Sequence, residues 1–366
     1  MDYEALIRAE LGPMRAYAPG LRASEVRELS GRDEVRKLSS NENPYGPVPG
    51  AIVGMQAVLS RLNVYPDGSV RALKRRLCQH LHVVDECLVV GNGSNELLRL
   101  IAQAVLTPGD ECLFAWPSFV VYPMVCQLMG ATEVRIPLTQ GEVHDLGAMA
   151  DAITERTKLI FLCNPNNPTG TIYPRADFEA FLDRVPEDVL VIIDEAYFEY
   201  ATSDEYVDGL AYFDGLRGLG VLRTFSKIYS LAGARVGYGV LPAPIVSALN
   251  KIREPFNVNT VAQVGAYYSL DDQTEVCRRR DENQGEKTLL YECFDRLGVS
   301  YVPSQTNFVY VHTEKPVEVF HALLSHGVIV RDLGTAPALR VGVGSPDDTN
   351  VTIAAFEAVA AKLGSI

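Results

Sequence analysis

The sequence predicts an α/β protein: a large domain on a mainly parallel central sheet flanked by helices, then a smaller α+β domain. Three observations carry this expectation. Between about residues 80 and 240, short apolar runs alternate with amphipathic stretches of helical period, the pattern of strands covered on both faces. After Pro255 that alternation gives way to a long polar-rich helical stretch and then to short strands. The length, 366 residues, exceeds what one core usually holds. The expected divisions are an N-terminal arm over 1–35 that joins the smaller domain, a large domain over 36–255 and the smaller domain over 256–366.

The elements follow in order. "CLVV" (87–90), "ECLFA" (111–115), "KLIFLC" (158–163), "VLVIID" (189–194), "GVLRTF" (220–225) and "RVGYGV" (235–240) read as buried strands, with helices over 95–106 and 175–185 among them. A helical stretch over 260–296 opens the second part. "NFVYVH" (307–312), a helix near 316–326, "VIVR" (328–331), "LRVGVG" (339–344) and a last helix complete it.

Composition narrows the function. With 47% hydrophobic and 22% charged residues and no long uninterrupted apolar run, no membrane span is expected. "MDYEALIRAE" has no basic stretch leading into an apolar one, so no secretory signal is read and a cytoplasmic protein is expected. Seven cysteines without a CxxC pair and six histidines without HxxxH indicate neither a metal cage nor a disulfide framework. A formal charge of −13 repels nucleic acid, and the one basic cluster, Arg278 to Arg280, runs straight into Asp281 and Glu282.

Ligands of open parallel sheets bind beyond the carboxyl ends of the strands, and four strands here end in unusual polar sequences. Gly91-Asn92-Gly93-Ser94-Asn95-Glu96 combines glycines with a helix start, which suits a phosphate, although it is neither a Walker loop nor GxGxxG. Asn164-Pro165-Asn166-Asn167-Pro168-Thr169-Gly170 is a rigid loop that displays amides. Asp194 closes an apolar strand, where its carboxylate calls for a cationic partner, and Tyr197 follows three residues on. Ser226 and Lys227 end another strand, with Arg235 beyond. Lys227 stands among Phe225, Ile228, Leu231 and Ala232, an apolar setting that a lysine leaves unless it is held for chemistry.

One chemistry uses all of these groups. Pyridoxal phosphate needs a lysine for its carbonyl carbon, an acid to keep its ring nitrogen protonated and donors for its phosphate. Lys227 suits the first role and Asp194 the second. Asn167 and Tyr197 suit the ring's phenolic oxygen, Gly93, Ser94, Asn95, Thr224, Ser226 and Arg235 the phosphate, and Phe119 a stack on the ring.

"NPNNPTG", "DEAY", "TFSKIYSLAGARVGY" and "LRVGVG" resemble the motifs of fold-type I aminotransferases. More narrowly, "LSSNENPYGP", "VYPDGS", "EPFNVNTVAQ", "SQTNFVYV" and "GVIVRD" are similar to the histidinol-phosphate aminotransferase family, from about Tyr17 to the C-terminus. The resemblance implies transfer of an amino group from L-histidinol phosphate to 2-oxoglutarate by way of pyridoxal phosphate on Lys227, with Lys227, Asp194 and Tyr197 at the chemistry. It implies a homodimer in which Tyr65 reaches the cofactor phosphate of the other subunit. It also implies substrate contacts from Arg340, Arg331, Asn43 and Tyr17. Asn95 stands where relatives often carry Asp, and Ala234 where they often carry Leu; neither removes a catalytic group. The competing readings are an aromatic amino-acid aminotransferase, a threonine-phosphate decarboxylase and a cofactor-binding regulatory module. The last lacks the basic DNA-binding segment it would need.

Overall fold

The structure is a computed structural model that describes residues 3–14, 16, 20–334, 336–364 and 366. Three helices, α1 (Ala23–Ser30), α2 (Pro49–Val58) and α3 (Arg71–Leu81), and a two-residue strand, β1 (Arg36–Lys37), precede the main sheet. That sheet comprises β2 (Leu88–Gly91), β3 (Glu111–Trp116), β4 (Thr132–Pro137), β5 (Thr157–Cys163), β6 (Leu190–Asp194), β7 (Leu219–Thr224) and β8 (Gly237–Val240), in the order β2-β8-β7-β6-β5-β3-β4. Pairings from β3 through β7 are parallel, and β8 is antiparallel to both of its neighbours. Every strand but β8 therefore points its carboxyl end to one edge.

Alternate residues of the inner strands feed two cores, as the period of two requires. Phe114, Phe161 and Ile192 pack on α4 (Ser94–Val105), α5 (Val121–Met129) and α8 (Ala243–Ile252). Leu113, Ile160, Val191 and Ile193 pack on α6 (Leu146–Asp151) and α7 (Arg175–Leu182). Each such Leu or Ile contributes roughly 1.5–3 kcal/mol by leaving water. Strand β4 escaped the sequence reading. It lies at the sheet edge, pairs only with β3 and alternates apolar with polar residues instead of forming a continuous apolar run.

The rest of the chain builds a second layer. Strands β9 (Tyr301–Val302), β10 (Phe308–His312), β12 (Arg331–Asp332) and β13 (Ala338–Gly342) form an antiparallel sheet in the order β12-β13-β10-β9. Val309, Val311, Leu339 and Val341 face a third core with Phe294 of α10 (Gln273–Leu297), Leu323 of α11 (Pro316–Ser325) and Phe356 of α12 (Pro346–Leu363). The helical stretch expected over 260–296 is two helices, α9 (Thr260–Ser269) and α10. They part at Leu270 to Asp272, where the Asp272 carboxylate accepts from Glu275 N and starts the second helix. The strand expected at 328–331 divides as well: β11 (Val328–Ile329) pairs in parallel with β1, while β12 turns to pair with β13. From β1 the chain runs along this second layer, with Leu38 N donating to Ile329 O and Gly342 N to Leu38 O. It thereby reaches the carboxyl edge of the main sheet. Among the described residues no helix is long and apolar enough to cross a membrane, and no cluster of three or more His, Cys, Asp or Glu could hold a metal ion.

Candidate active site

A cavity of about 690 Å³ opens between that edge and the second layer, a size that suits a cofactor with its substrate. Ser94, Asn95, Phe119, Asn167, Asp194, Tyr197, Thr224, Ser226, Lys227, Arg235, Arg331 and Arg340 line it, so residues far apart in the chain meet on one wall.

The end of the cavity at the start of α4 is built from backbone as much as from side chains. Gly93 precedes α4 with φ +84°, a left-handed conformation that glycine adopts without strain, and a Cβ there would press into the Arg235 guanidinium. Gly237 lets its strand approach the helix start, since a Cβ on it would stand 2.6 Å from Ser94 N. Thr224 Oγ1 donates to Ser226 Oγ at 3.0 Å, and Arg235 Nη1 reaches Ser226 Oγ at 3.4 Å. Two hydroxyls and a guanidinium thus surround the N-terminus of α4, a ready anion site.

Asp194, at the end of β6, is 2% exposed. One of its oxygens has a neutral partner, Asp194 Oδ2 accepting from the Tyr122 hydroxyl of α5 at 3.0 Å. Burial raises the carboxyl to about 6, against the lowering effects of Tyr122, the Ala196 amide and Lys227. Asp194 Oδ1 is buried and has no hydrogen-bond partner. An orphaned carboxylate oxygen on a cavity wall needs a donor from the cavity.

Lys227 Nζ lies 3.2 Å from Ser40 O and 3.3 Å from Asn41 O. Burial first, then the positive charge of Arg340, pushes its amine down to about 7. Tyr197 accepts from Asn41 Nδ2 at 2.8 Å, and burial pushes its phenol up. In the loop after β5, Asn166 ties that loop to the segment after β3, donating to Thr169 Oγ1 and accepting from Ser118 Oγ, and Asn167 faces the cavity, where its Oδ1 accepts from Arg340 Nη1 at 2.6 Å. Phe119 meets Tyr122 edge to face, with ring centroids 5.7 Å apart.

Other expected residues stand elsewhere. Asn43 lies outside the cavity wall, behind the lysine segment, where its Nδ2 donates to Tyr200 Oη and Ile228 O. Tyr65 is 78% exposed, stacked on Phe256 at 4.6 Å, and is not part of the cavity wall. Tyr17 lies outside the described residues. Conversely, Asn41 and Tyr122 belong to the site and were not singled out by their sequence. Asn41 lay inside a motif quoted only for its resemblance, and Tyr122 inside an apolar helix.

Pyridoxal phosphate fits these groups: a lysine that loses its proton near neutrality, a carboxylate with one oxygen free for the ring N–H and an anion cradle for the phosphate. The fold and site define a fold-type I pyridoxal-phosphate enzyme. The family described as aminotransferase class I and II matches residues 33–356, and the chain belongs to it. The histidinol-phosphate aminotransferase of Moorella thermoacetica is 45% identical over 353 residues, 95% of this chain and 91% of that protein. An aromatic amino acid aminotransferase of Streptomyces coelicolor is 41% identical over 352 residues, 96% of each chain. The crystal structure of histidinol-phosphate aminotransferase from Sinorhizobium meliloti in complex with pyridoxal-5'-phosphate superposes with a TM-score of 0.89 at 25% identity, covering 98% of this chain and 99% of that one.

Proposed function

We propose that this aminotransferase takes the amino group of L-histidinol phosphate and passes it to 2-oxoglutarate. The observation that carries the reading is the pairing of Arg331 with Arg340. They are direct partners across β12 and β13, so their side chains share one face, and both line the cavity. Two guanidinium groups on one face of the cavity wall suit a dianionic phosphate, which can accept charge-assisted bonds from both. An α-carboxylate needs only one such fork.

When bound, pyridoxal phosphate draws electrons from the substrate carbon that loses its proton. Asp194 Oδ1 would accept the ring N–H and keep that nitrogen charged. Tyr197 and Asn167 would hold the phenolic oxygen, Phe119 would cover the ring, and Ser94, Asn95, Thr224, Ser226 and Arg235 would bind the phosphate beside Gly93. Lys227, with its amine near neutrality, is the base for the proton on the carbon that bears the nitrogen. Arg340 and Arg331 orient the anionic end of the donor and, in the second half of the cycle, the dicarboxylate.

The remaining parts of the proposal concern organisation. A homodimer brings Tyr65 to the partner's cofactor phosphate, supported by its exposure on its own subunit. Residues 36–255 form the cofactor domain, supported by the seven-stranded sheet, and 256–366 with the first 35 residues form the smaller one, supported by the four-stranded sheet; the two-stranded β1-β11 sheet ties Arg36 and Lys37, at the start of the larger unit, to the smaller one. Free cysteines at all seven positions suit a cytoplasmic protein.

A second reading, an aromatic amino-acid aminotransferase, is favoured by the apolar part of the wall: Trp116, Phe119, Val120, Pro123, Met124 and Leu333. One experiment separates the two. The loaded enzyme is mixed with L-histidinol phosphate or L-phenylalanine, without an acceptor, and the cofactor's absorbance is followed. Fast conversion by histidinol phosphate at low concentration supports the proposal, whereas conversion by phenylalanine alone replaces it with the aromatic reading.

A further inference from the structure

We propose that Asn41 is a positioning residue that determines where the Tyr197 hydroxyl sends its proton. The inference rests on Tyr197 being a cofactor contact, as proposed above, and concerns a residue outside the strand ends where the other site groups lie.

Asn41 is 2% exposed and has φ +54°, a left-handed backbone that Asn and Asp tolerate better than other side-chain-bearing residues. This conformation lets one residue serve three partners. Its carbonyl accepts from Asn307 Nδ2 at 3.0 Å and from Lys227 Nζ at 3.3 Å, and its Nδ2 donates to Tyr197 Oη at 2.8 Å. Next to it, Ser39 O accepts from Arg340 Nη2 at 2.8 Å. The run from Ser39 to Asn41 is thus pinned to the second layer by Arg340 and Asn307, and extends one amide to the phenol at the edge of the main sheet.

The direction of that last bond has a chemical consequence. A phenol has one proton to give, and an amide nitrogen can only donate. The bond from Asn41 therefore occupies a lone pair of the Tyr197 oxygen and leaves its proton unspent. Among the described residues no hydrogen-bond acceptor takes that proton, and Tyr197 lines the cavity. That leaves the proton for an acceptor in the cavity, the role the cofactor's phenolic oxygen would fill. Around the phenol stand Arg340, Asp194, Cys163 and Lys227, none of which reverses the assignment, because Asn41 alone bonds its oxygen. A carboxylate at position 41 has the same shape, tolerates the same backbone and can only accept. Asn41→Asp therefore turns the phenol's proton away from the cavity.

The test is a pH titration of the visible absorbance of the bound cofactor in the wild-type protein, Tyr197→Phe, Asn41→Asp and the double variant. A phenolic oxygen with one donor fewer keeps more negative charge and holds the neighbouring proton to higher pH, so Tyr197→Phe should raise the midpoint. Asn41→Asp should raise it by about one pH unit, and the double variant should stand no higher than Tyr197→Phe. If Tyr197→Phe leaves the midpoint where it was, the reading of Tyr197 fails and takes the proposal with it. If Tyr197→Phe moves it but Asn41→Asp does not, the proposal alone is overturned. It is also overturned if the Asp effect persists undiminished in the Phe background, which would be plain charge repulsion. Cofactor affinity, read from quenching of Trp116 on the cavity wall, gives a further readout in the unloaded protein. A loss of affinity without a shifted midpoint would make Asn41 a structural prop and overturn the proposal. Should Asn41→Asp not fold, Asn307→Ala loosens the same residue from behind. A smaller upward shift, absent in the Phe background, supports the proposal, and no shift overturns it.

Discussion

Lys227 holds its amine where an ammonium is costly, with Arg340 and Arg235 adding positive charge and Glu42 and Asp194 offsetting only part of it. A lowered amine is neutral above its new midpoint, so the neutral fraction should rise through about pH 7 instead of about 10.4. The rate at which unloaded protein captures added pyridoxal phosphate should rise over that same range, measured by stopped-flow absorbance. A rise only near the ordinary lysine value would remove the basis for treating Lys227 as the site's base. Lys227→Ala should fold, bind the cofactor without covalent attachment and show no turnover; retained activity would contradict the assignment. In the proposed function, Arg331 is the residue expected to separate phosphate from carboxylate. Because charge-assisted bonds to a dianion are at stake, Arg331→Ala should lower kcat/KM for histidinol phosphate by roughly 10- to 100-fold and for phenylalanine far less. Equal losses on both substrates would argue that Arg331 supports the wall and does not read the phosphate.

The junction between β2 and α4 makes its own prediction. Gly93→Ala puts a Cβ into a left-handed position and into the guanidinium of Arg235, so it strikes the proposed phosphate cradle twice. Cofactor affinity should fall roughly tenfold or more, whereas the unloaded protein loses only about 1 kcal/mol of stability. Equilibrium dialysis and thermal melts would show the split, and unchanged affinity would remove the cradle from this junction. Elements of this kind were legible in the sequence because inner parallel strands are continuous apolar runs whose ends must carry the polar chemistry. Lys227, Asp194 and the Asn167 loop stood out because each interrupts such a run. Strand β4 did not, since an edge strand with one covered face reads as half polar. Nor did the break between α9 and α10, which lies in a stretch already polar. Asn41 and Tyr122 were invisible for a different reason. Their partners lie 156 and 72 residues away, and only the folded chain brings an ordinary Asn to Tyr197 or an ordinary Tyr to Asp194.

At the scale of the whole molecule, the apolar surface near Tyr65 is the unresolved charge against a monomer. Val53, Leu62, Val64 and Tyr65 are 66%, 58%, 57% and 78% exposed, on α2 and the chain that follows it, and Phe256, 44% exposed, stacks on Tyr65. Exposed apolar residues of this kind suit an interaction surface, and the homodimer proposed above would cover them while bringing Tyr65 to the second cavity. If Tyr65 serves the neighbouring subunit, Tyr65→Ala and Lys227→Ala damage different halves of each site. Each variant alone should be impaired, Lys227→Ala completely. Unfolded together and refolded, they should form hybrid dimers in which one of the two sites has both native residues. Random pairing makes half of the dimers hybrid, so the mixture should approach about a quarter of wild-type activity per site. The amount recovered is informative only against the residual activity of Tyr65→Ala by itself, which sets the floor. A mixture no more active than that floor would assign Tyr65 to its own subunit or to no site, and the phosphate would then be held by Ser94, Asn95, Thr224, Ser226 and Arg235 without help from a partner.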